Sequence, residues 1–274
     1  MARERLAGAI LAAGHGSITS GKSKLLEPLN DGCTIIEAVV HLLDQQLDIS
    51  RLAVAVNHVY GENLQAVISK NFPGVTYAHQ RERRGTADAA KLAVEALRQE
   101  YPNEHFDTIL ILYGDMPLWR PESLAQLIDE HRRQGATISM FSIDVTKLDG
   151  SEAVSAFGRI LRNGRGQIIG VKEPYQMTAE DERLWSCCRR VNPSAWTFHI
   201  NWLMQNIMFL EPHDKQDGFP SEFWLPDLVK LAVSQKKYIL ELELTDPQEA
   251  RGINTDFDLL VAQTLFRRQR YLCV

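Results

Sequence analysis

Cysteine is scarce in this chain: four in 274 residues, at positions 33, 187, 188 and 273. No spacing among them suits a zinc site, and four in a chain this long do not make a disulfide framework. Free thiols in a reducing cytoplasm are therefore expected. The eight histidines form no H-x-x-x-H pair. Long apolar runs are missing as well; none approaches the ~18 residues that a membrane span requires. The apolar run Leu6–Ala13 is short for a signal peptide, and Glu4 interrupts the charged stretch before it. A basic excess is also lacking, since the formal net charge is -5. That argues against a nucleic-acid partner. The arginine-rich clusters at 81–84 and 267–270 are short and mixed, and read as solvated surface. Internal repeats are absent, and so is the hexapeptide pattern of a left-handed β-helix. The expectation is a cytoplasmic protein with neither nucleic acid nor membrane as partner.

What the chain does have is an alternation of strand-like and helix-like segments. Leu6–Ala12 is a continuous apolar run ending in Gly14 and Gly16. Thr34–Gln46 reads as an amphipathic helix with a capping box, Thr34-x-x-Glu37. Strands follow at Leu52–Val56, Val75–His79, Thr108–Leu112 and Ile138–Ile143. Helices are expected over Thr86–Glu100 and from Pro121 to about Arg133, the latter closed by Gly135. This β-α-β-α-β-α-β order predicts an α/β fold: a mostly parallel sheet with helices on both faces. Ligands of such sheets sit beyond the carboxyl ends of the strands. After about residue 150 the rhythm changes. A hairpin is expected around 163–166, then strands near Trp196–Ile200 and at Lys237–Leu244, and a final helix over Asp256–Tyr271. That helix packs on the core or on a second copy.

Residues 16–23, GSITSGKS, match the P-loop pattern G-x-x-x-x-G-K-[ST]. A P-loop feeds directly into a helix whose N-terminal N–H groups hold phosphate. Here Pro28 follows five residues after Ser23, where it would break a helix at a cost of ~3 kcal/mol. The match is read as accidental, and a helix starting at Lys22 would overturn that reading. The alternative is a strand that runs into a glycine-rich loop, LAAGHGS, with a lysine beyond it. Its backbone N–H groups wrap a triphosphate and its lysine reaches the transferring phosphate.

Three further segments belong to the same reading. Gly85–Thr86 sits at a helix start, where backbone groups meet a base or phosphate; Thr86 also reads as a plain N-cap. Asp115, past the end of the most apolar strand, is a natural Mg²⁺ ligand, or simply a turn residue before Pro117. Asn254 and Asp256 offer further oxygens, or a turn and a cap.

In order along the chain, these segments resemble the sugar-phosphate nucleotidyltransferase superfamily. The resemblance is to the uridylyltransferase domain of bacterial N-acetylglucosamine-1-phosphate uridylyltransferases in particular. ILAAGHGS (10–17) resembles the phosphate loop, YGDMPL (113–118) the strand-end metal motif, and GRIL with GQIIGVKE (158–173) the sugar-pocket segment. SEFWLPDLVKLA (221–232) resembles the E-Y-Y-x-T-D segment, and RGINT (251–255) the second metal motif. The resemblance implies a Rossmann-like nucleotidyltransferase domain over 1–255, with a sugar-binding subregion at about 150–225 and a C-terminal helix at 256–274. It implies that an NTP, UTP by default, and a sugar 1-phosphate give a nucleotide sugar and pyrophosphate. Leu11, Ala12, Ala13, Gly14, His15, Gly16, Ser17, Lys22, Gln80, Gly85 and Thr86 are then nucleotide-binding. Tyr113, Gly158, Glu173 and Asn192 are sugar-binding, Asp115 and Asn254 hold Mg²⁺, and Lys24 and Asp115 are catalytic.

The chain departs from the family at three places in its motifs, the first being His15 in place of the usual basic residue between the glycines. Ile18 stands where the family's loop has an arginine, and Asn192-Pro193-Ser194 where its sugar motif reads N-T-G. Pro193 has no N–H to donate. A degenerate homologue that binds sugar nucleotides or a partner without turnover is therefore the competing expectation.

Overall fold

The computed structural model describes residues 6–14, 16, 22–30, 32–148, 157–213 and 221–268. Strand β1 (Leu6–Ala12) is followed by two short strands, β2 (Pro28–Asn30) and β3 (Cys33–Thr34), and by helix α1 (Ile35–His41). Then come β4 (Leu52–Asn57), α2 (Gly61–Asn71), β5 (Thr76–Gln80), α3 (Gly85–Glu100), β6 (Thr108–Tyr113), α4 (Pro121–Gln134) and β7 (Ile138–Asp144). Beyond these lie β8 (Gly158–Arg162), β9 (Ile168–Lys172), β10 (Arg190–Asn192), β11 (Trp196–His199) and β12 (Ile239–Glu243).

The sheet runs β5-β4-β1-β6-β11-β7, with β12 also on β7 and with β10, β8 and β9 beyond it. Strands β5, β4, β1 and β6 are mutually parallel, whereas β11 is antiparallel to both β6 and β7. The mixed α/β sheet with helices is the one expected.

Strand alternation sends successive side chains to opposite faces. Ile10, Val54, Leu110, Leu112 and Phe141 join one core beneath α1, α2 and α4. Ala7, Ala9, Ala53, Ala55, Ile109 and Ile111 join the other, beneath α3 and the helices Ile200–Asn206 and Asp227–Ser234. The second face is rich in alanine, and α3 answers with Ala87, Ala89, Ala90 and Ala93. Small residues on both sides let α3 lie close to the sheet, with its N-terminus at the strand ends.

The local signals form as their chemistry dictates. The Thr34 hydroxyl accepts from the Glu37 amide, while the Glu37 carboxylate accepts from the Thr34 amide at 3.0 Å. Gly135 closes α4 in the left-handed conformation, φ 63°. Helix α2 has no counterpart among the expected elements. Only Gly61, Leu64 and Ile68 of its eleven residues are buried, too sparse a stripe to stand out.

Two expectations are corrected or decided here. The thiols of Cys187 and Cys188 are free, but Cys33 is disulfide-bonded. No P-loop helix forms: one 3₁₀ turn, Lys24–Leu26, ends at the extended Glu27 and enters β2 at Pro28. Among the described residues no helix is long and apolar enough to cross a membrane.

Candidate active site

The site lies where β1, β4 and β6 end. Asn57, at the end of β4 and buried, donates its side-chain amide to the Gly14 carbonyl at 2.9 Å and to the Ala13 carbonyl at 3.4 Å. Its Oδ1 accepts the Val59 and Tyr60 amides. One side chain therefore fixes the start of the glycine loop and the turn into α2. Sequence reading did not single Asn57 out, because a strand-end asparagine is an ordinary turn residue.

Lys24 leaves the 3₁₀ turn that Ser23 caps, its amide bonded to the Gly16 carbonyl at 3.1 Å. Its Nζ donates to Asp115 Oδ2, to the Ile253 carbonyl and to Asn254 Oδ1, each at 2.7 Å. Asp115 stands just past β6. The Ile253 amide donates to the Asp115 carbonyl at 2.9 Å, which docks the 251–254 turn against that strand end. Beyond Asn254, Thr255 and Asp258 cap the helix Asp256–Arg268 reciprocally.

Over this floor lies a cavity of about 210 Å³. Leu11, Ala12, Ala13, Gly14, Gly16, Lys24, Gln80, Gly85, Thr86, Tyr113 and Asp115 line it. Asn254 reaches it through Lys24. His15 and Ser17 lie outside the described residues, as does Ile18. Lys22 is exposed and is not part of the lining. Arg83, Glu222 and Trp224 also line the cavity and were not picked out one by one in the sequence. The Arg83 guanidinium pairs with Glu222 at 3.0 Å, and the Trp224 indole donates to Glu222 at 3.1 Å.

Gln80 is buried and donates its amide nitrogen to the Gly85 carbonyl at 3.1 Å and to Asp88 at 2.8 Å. Those two acceptors orient the amide and leave its oxygen on the other side. Thr86 does not cap α3 from the N-cap position; its hydroxyl accepts the Leu225 amide instead.

Of the residues expected to bind sugar, Tyr113 lines the cavity, whereas Gly158, Glu173 and Asn192 are not among its lining residues. A Cβ on Gly158 would lie 2.9 Å from Val171 and 3.4 Å from the Glu173 carboxylate, so the β8–β9 hairpin brings Gly158 and Glu173 together. Burial pushes the Glu173 carboxyl up, and the charge of Asp227 adds to this. Burial pushes the Tyr113 phenol up too, against the Thr86 and Ser194 hydroxyls beside it.

Asn192 is buried, and both ends of its amide are used within the fold. Nδ2 donates to the Phe141 carbonyl at 3.1 Å, and Oδ1 accepts the Ser194 amide at 3.1 Å. It marks the break between β10 and β11, which lie one after the other along β7.

A separate cluster flanks Trp224. Gln176 accepts the Glu173 amide through its oxygen, which turns its nitrogen to His213 Nδ1 at 3.0 Å. His213 Nε2 meets Asp227 at 2.6 Å, and its ring stacks on Trp224 with centroids 3.8 Å apart.

A family model described as the MobA-like NTP transferase domain matches residues 8–167. The chain belongs to that family. The match covers the lining residues from Leu11 to Asp115 and ends in the β8–β9 turn, while Glu222, Trp224 and the 251–254 turn lie beyond it. Curated relatives include the bifunctional protein GlmU of Dichelobacter nodosus, 28% identical over 98% of this chain and 53% of that protein. The bifunctional protein GlmU of Pelobacter propionicus is 30% identical over 97% of this chain and 53% of its own length. The chain spans about half the length of these relatives. Among solved structures, a putative glucose-1-phosphate thymidylyltransferase from Bacillus anthracis superposes with a TM-score of 0.68 at 17% identity, covering 97% of each chain. A CMP:2-keto-3-deoxy-manno-octonic acid synthetase complexed with CTP gives 0.63 at 15% identity, over 97% of this chain and 99% of the other. These two likenesses show a shared nucleotidyltransferase fold.

Proposed function

We propose that this MobA-like NTP transferase is a sugar-phosphate nucleotidyltransferase. It joins an NTP, UTP in the first instance, to a sugar 1-phosphate such as N-acetylglucosamine 1-phosphate, and releases pyrophosphate. The observation that carries the reading is the convergence of Lys24, Asp115 and Asn254 on one point beside the glycine loop.

The chemistry asks little else of the protein. A sugar 1-phosphate oxygen is already an anion, so no general base is needed. The described lining residues include no histidine or cysteine. Phosphoryl transfer of this kind rests on positioning and charge neutralisation. The Gly14–Gly16 backbone and the Lys24 ammonium would hold the triphosphate. Gln80 would offer its carbonyl oxygen to a base N–H, and the first N–H groups of α3 would face a base carbonyl. Tyr113 would donate its phenol O–H toward the sugar side.

Asp115 and Asn254 fit Mg²⁺ by donor type, a carboxylate and an amide oxygen within reach of a single point. Bound there, Mg²⁺ would supply charge neutralisation across the phosphates. The commitment of Asn192 to the fold argues that the acyl group of an acetamido sugar, if that is the substrate, is recognised by other residues.

The test is pyrophosphate release over a grid of four NTPs against several sugar 1-phosphates, with Asp115→Asn as control. Turnover with one pair, lost in the control, names the reaction and its substrates. The internal use of Asn192, together with Ile18, favours a second reading: a homologue that binds nucleotide without turnover. Folded protein that binds an NTP yet releases no pyrophosphate with any pair would establish it.

A further inference from the structure

The three oxygens around Lys24 Nζ are the feature that the reaction leaves unexplained. An ammonium has three N–H donors. Here all three are used, at 2.7 Å each, and two of the acceptors are the oxygens assigned above to the metal. The lysine stem is also held in place. A Cβ at Gly16 would lie 3.1 Å from Lys24 Cε and 3.2 Å from Cδ, so the stem runs directly over the glycine-loop backbone. The Lys24 side chain is 14% exposed.

We infer that Lys24 is a tethered cation that occupies the divalent-metal cage of the free protein and is displaced from it when the metal arrives. This inference rests on the nucleotidyltransferase reading for its purpose. A free cage would set the Asp115 carboxylate and two neutral oxygens together without a counter-charge. The lysine neutralises it and docks the 251–254 turn to the end of β6. A divalent cation taking Asp115 and Asn254 removes two of the three acceptors. The ammonium then swings off the cage, still tethered beside the glycine loop, where the phosphates of an NTP would receive it. One side chain thus couples metal arrival to exposure of the phosphate-binding charge.

The experiment reads the lysine itself, on the wild-type protein without nucleotide. The protein is labelled briefly with an acetylating reagent at increasing Mg²⁺, and each lysine is followed by mass spectrometry. Mn²⁺ binding is followed in parallel by electron paramagnetic resonance. Displacement predicts that Mg²⁺ raises the initial labelling rate at Lys24 several-fold, while the exposed Lys22 is unchanged. It predicts that Asp115→Asn abolishes the metal response. It also predicts that Lys24→Met binds Mn²⁺ about tenfold tighter than wild type, the scale of one charge-assisted hydrogen bond removed from the competitor.

Lys24 labelling that stays level or falls while Mn²⁺ binds would overturn the inference, because the ammonium and the metal would then coexist. Failure of Mn²⁺ to bind either wild type or Lys24→Met would overturn it as well, since nothing would compete for the oxygens. The two proposals fail separately. Metal-driven exposure of Lys24 without pyrophosphate release keeps the displacement and discards turnover; turnover without exposure does the reverse.

Discussion

The Thr86 hydroxyl accepts the backbone N–H of Leu225 at 3.0 Å, across 139 residues of sequence. Around it the Phe223 amide donates to the Arg84 carbonyl at 2.8 Å, and the Ala87 amide to the Phe223 carbonyl at 2.9 Å. The start of α3 and the 221–225 segment therefore form one interlocked wall. Gln80, Gly85, Glu222 and Trp224 all line the cavity at this wall.

Gly85 is the tightest point of that wall. Its φ is +87°, and a Cβ there would lie 2.4 Å from the Phe223 carbonyl oxygen. Both strain and collision oppose any side chain. Gly85→Ala is expected to cost about 2 kcal/mol or more, and to weaken nucleotide binding as the wall opens. Thr86→Val, which removes the hydroxyl without introducing a collision, should cost about 1 kcal/mol. Urea denaturation of the two variants checks the order; an unchanged midpoint for Gly85→Ala would remove the argument.

Lys24→Met should lower the rate of pyrophosphate release about a hundredfold or more, by loss of one charged donor at the transferring phosphate. Asn254→Ala should act differently, raising the Mg²⁺ concentration needed for half-maximal rate. Rates measured across a Mg²⁺ series separate the two effects. A parallel loss in both variants at every Mg²⁺ concentration would contradict the assigned roles.

Trp224 reports on the cavity. It lines the wall, donates to Glu222 and stacks on His213. Binding of a nucleotide or nucleotide sugar should change the intrinsic fluorescence, and Trp224→Phe should abolish most of the change. A full change retained in the variant would place the ligand elsewhere.

His131 predicts a pH dependence of stability. It is buried in α4 against the Ser139 hydroxyl at 2.8 Å. Burial, with His199 and Arg132 adding to it, pushes its pKa down to about 4. The unfolded chain takes up this proton as pH falls through about 6.5, and the folded chain resists until about 4. Stability is therefore complete above about 6.5 and is lost on acidification across that window, by at most about 1.4 kcal/mol per pH unit. Urea midpoints at pH 7 and pH 5 should converge in His131→Gln relative to wild type. Equal pH sensitivity in both proteins would discount His131.

Much of the fold was legible because its causes are local. The Thr34–Glu37 capping box, the Gly135 stop and the apolar run Thr108–Leu112 each depend on residues within a few positions of one another. Helix α2 escaped because its buried stripe is only Gly61, Leu64 and Ile68. The helix Ala179–Ser186 escaped because its stretch is polar, although Thr178 and Asp181 cap it reciprocally. In the cavity, the glycine loop, Gln80, Gly85 and Asp115 carried readable motifs. Asn57 and Arg83 did not, since a turn asparagine and a surface arginine gain their roles only from what lies opposite.

The sequence by itself determined the alternation of strands and helices, the glycine-rich turn after β1 and the failure of the P-loop string, which Pro28 made plain. Hydrophobic period, caps and breakers act over a few residues, so they can be read along the chain. Only the tertiary structure decided that Lys24 meets Asp115, 91 residues away, and Asn254, 230 residues away. It also decided that Asn192 serves the break between β10 and β11. Those contacts depend on which strands become neighbours, β6 beside β1 and β11 between β6 and β7. Strand order is set by the packing of two whole cores against the sheet, a balance that no short segment contains.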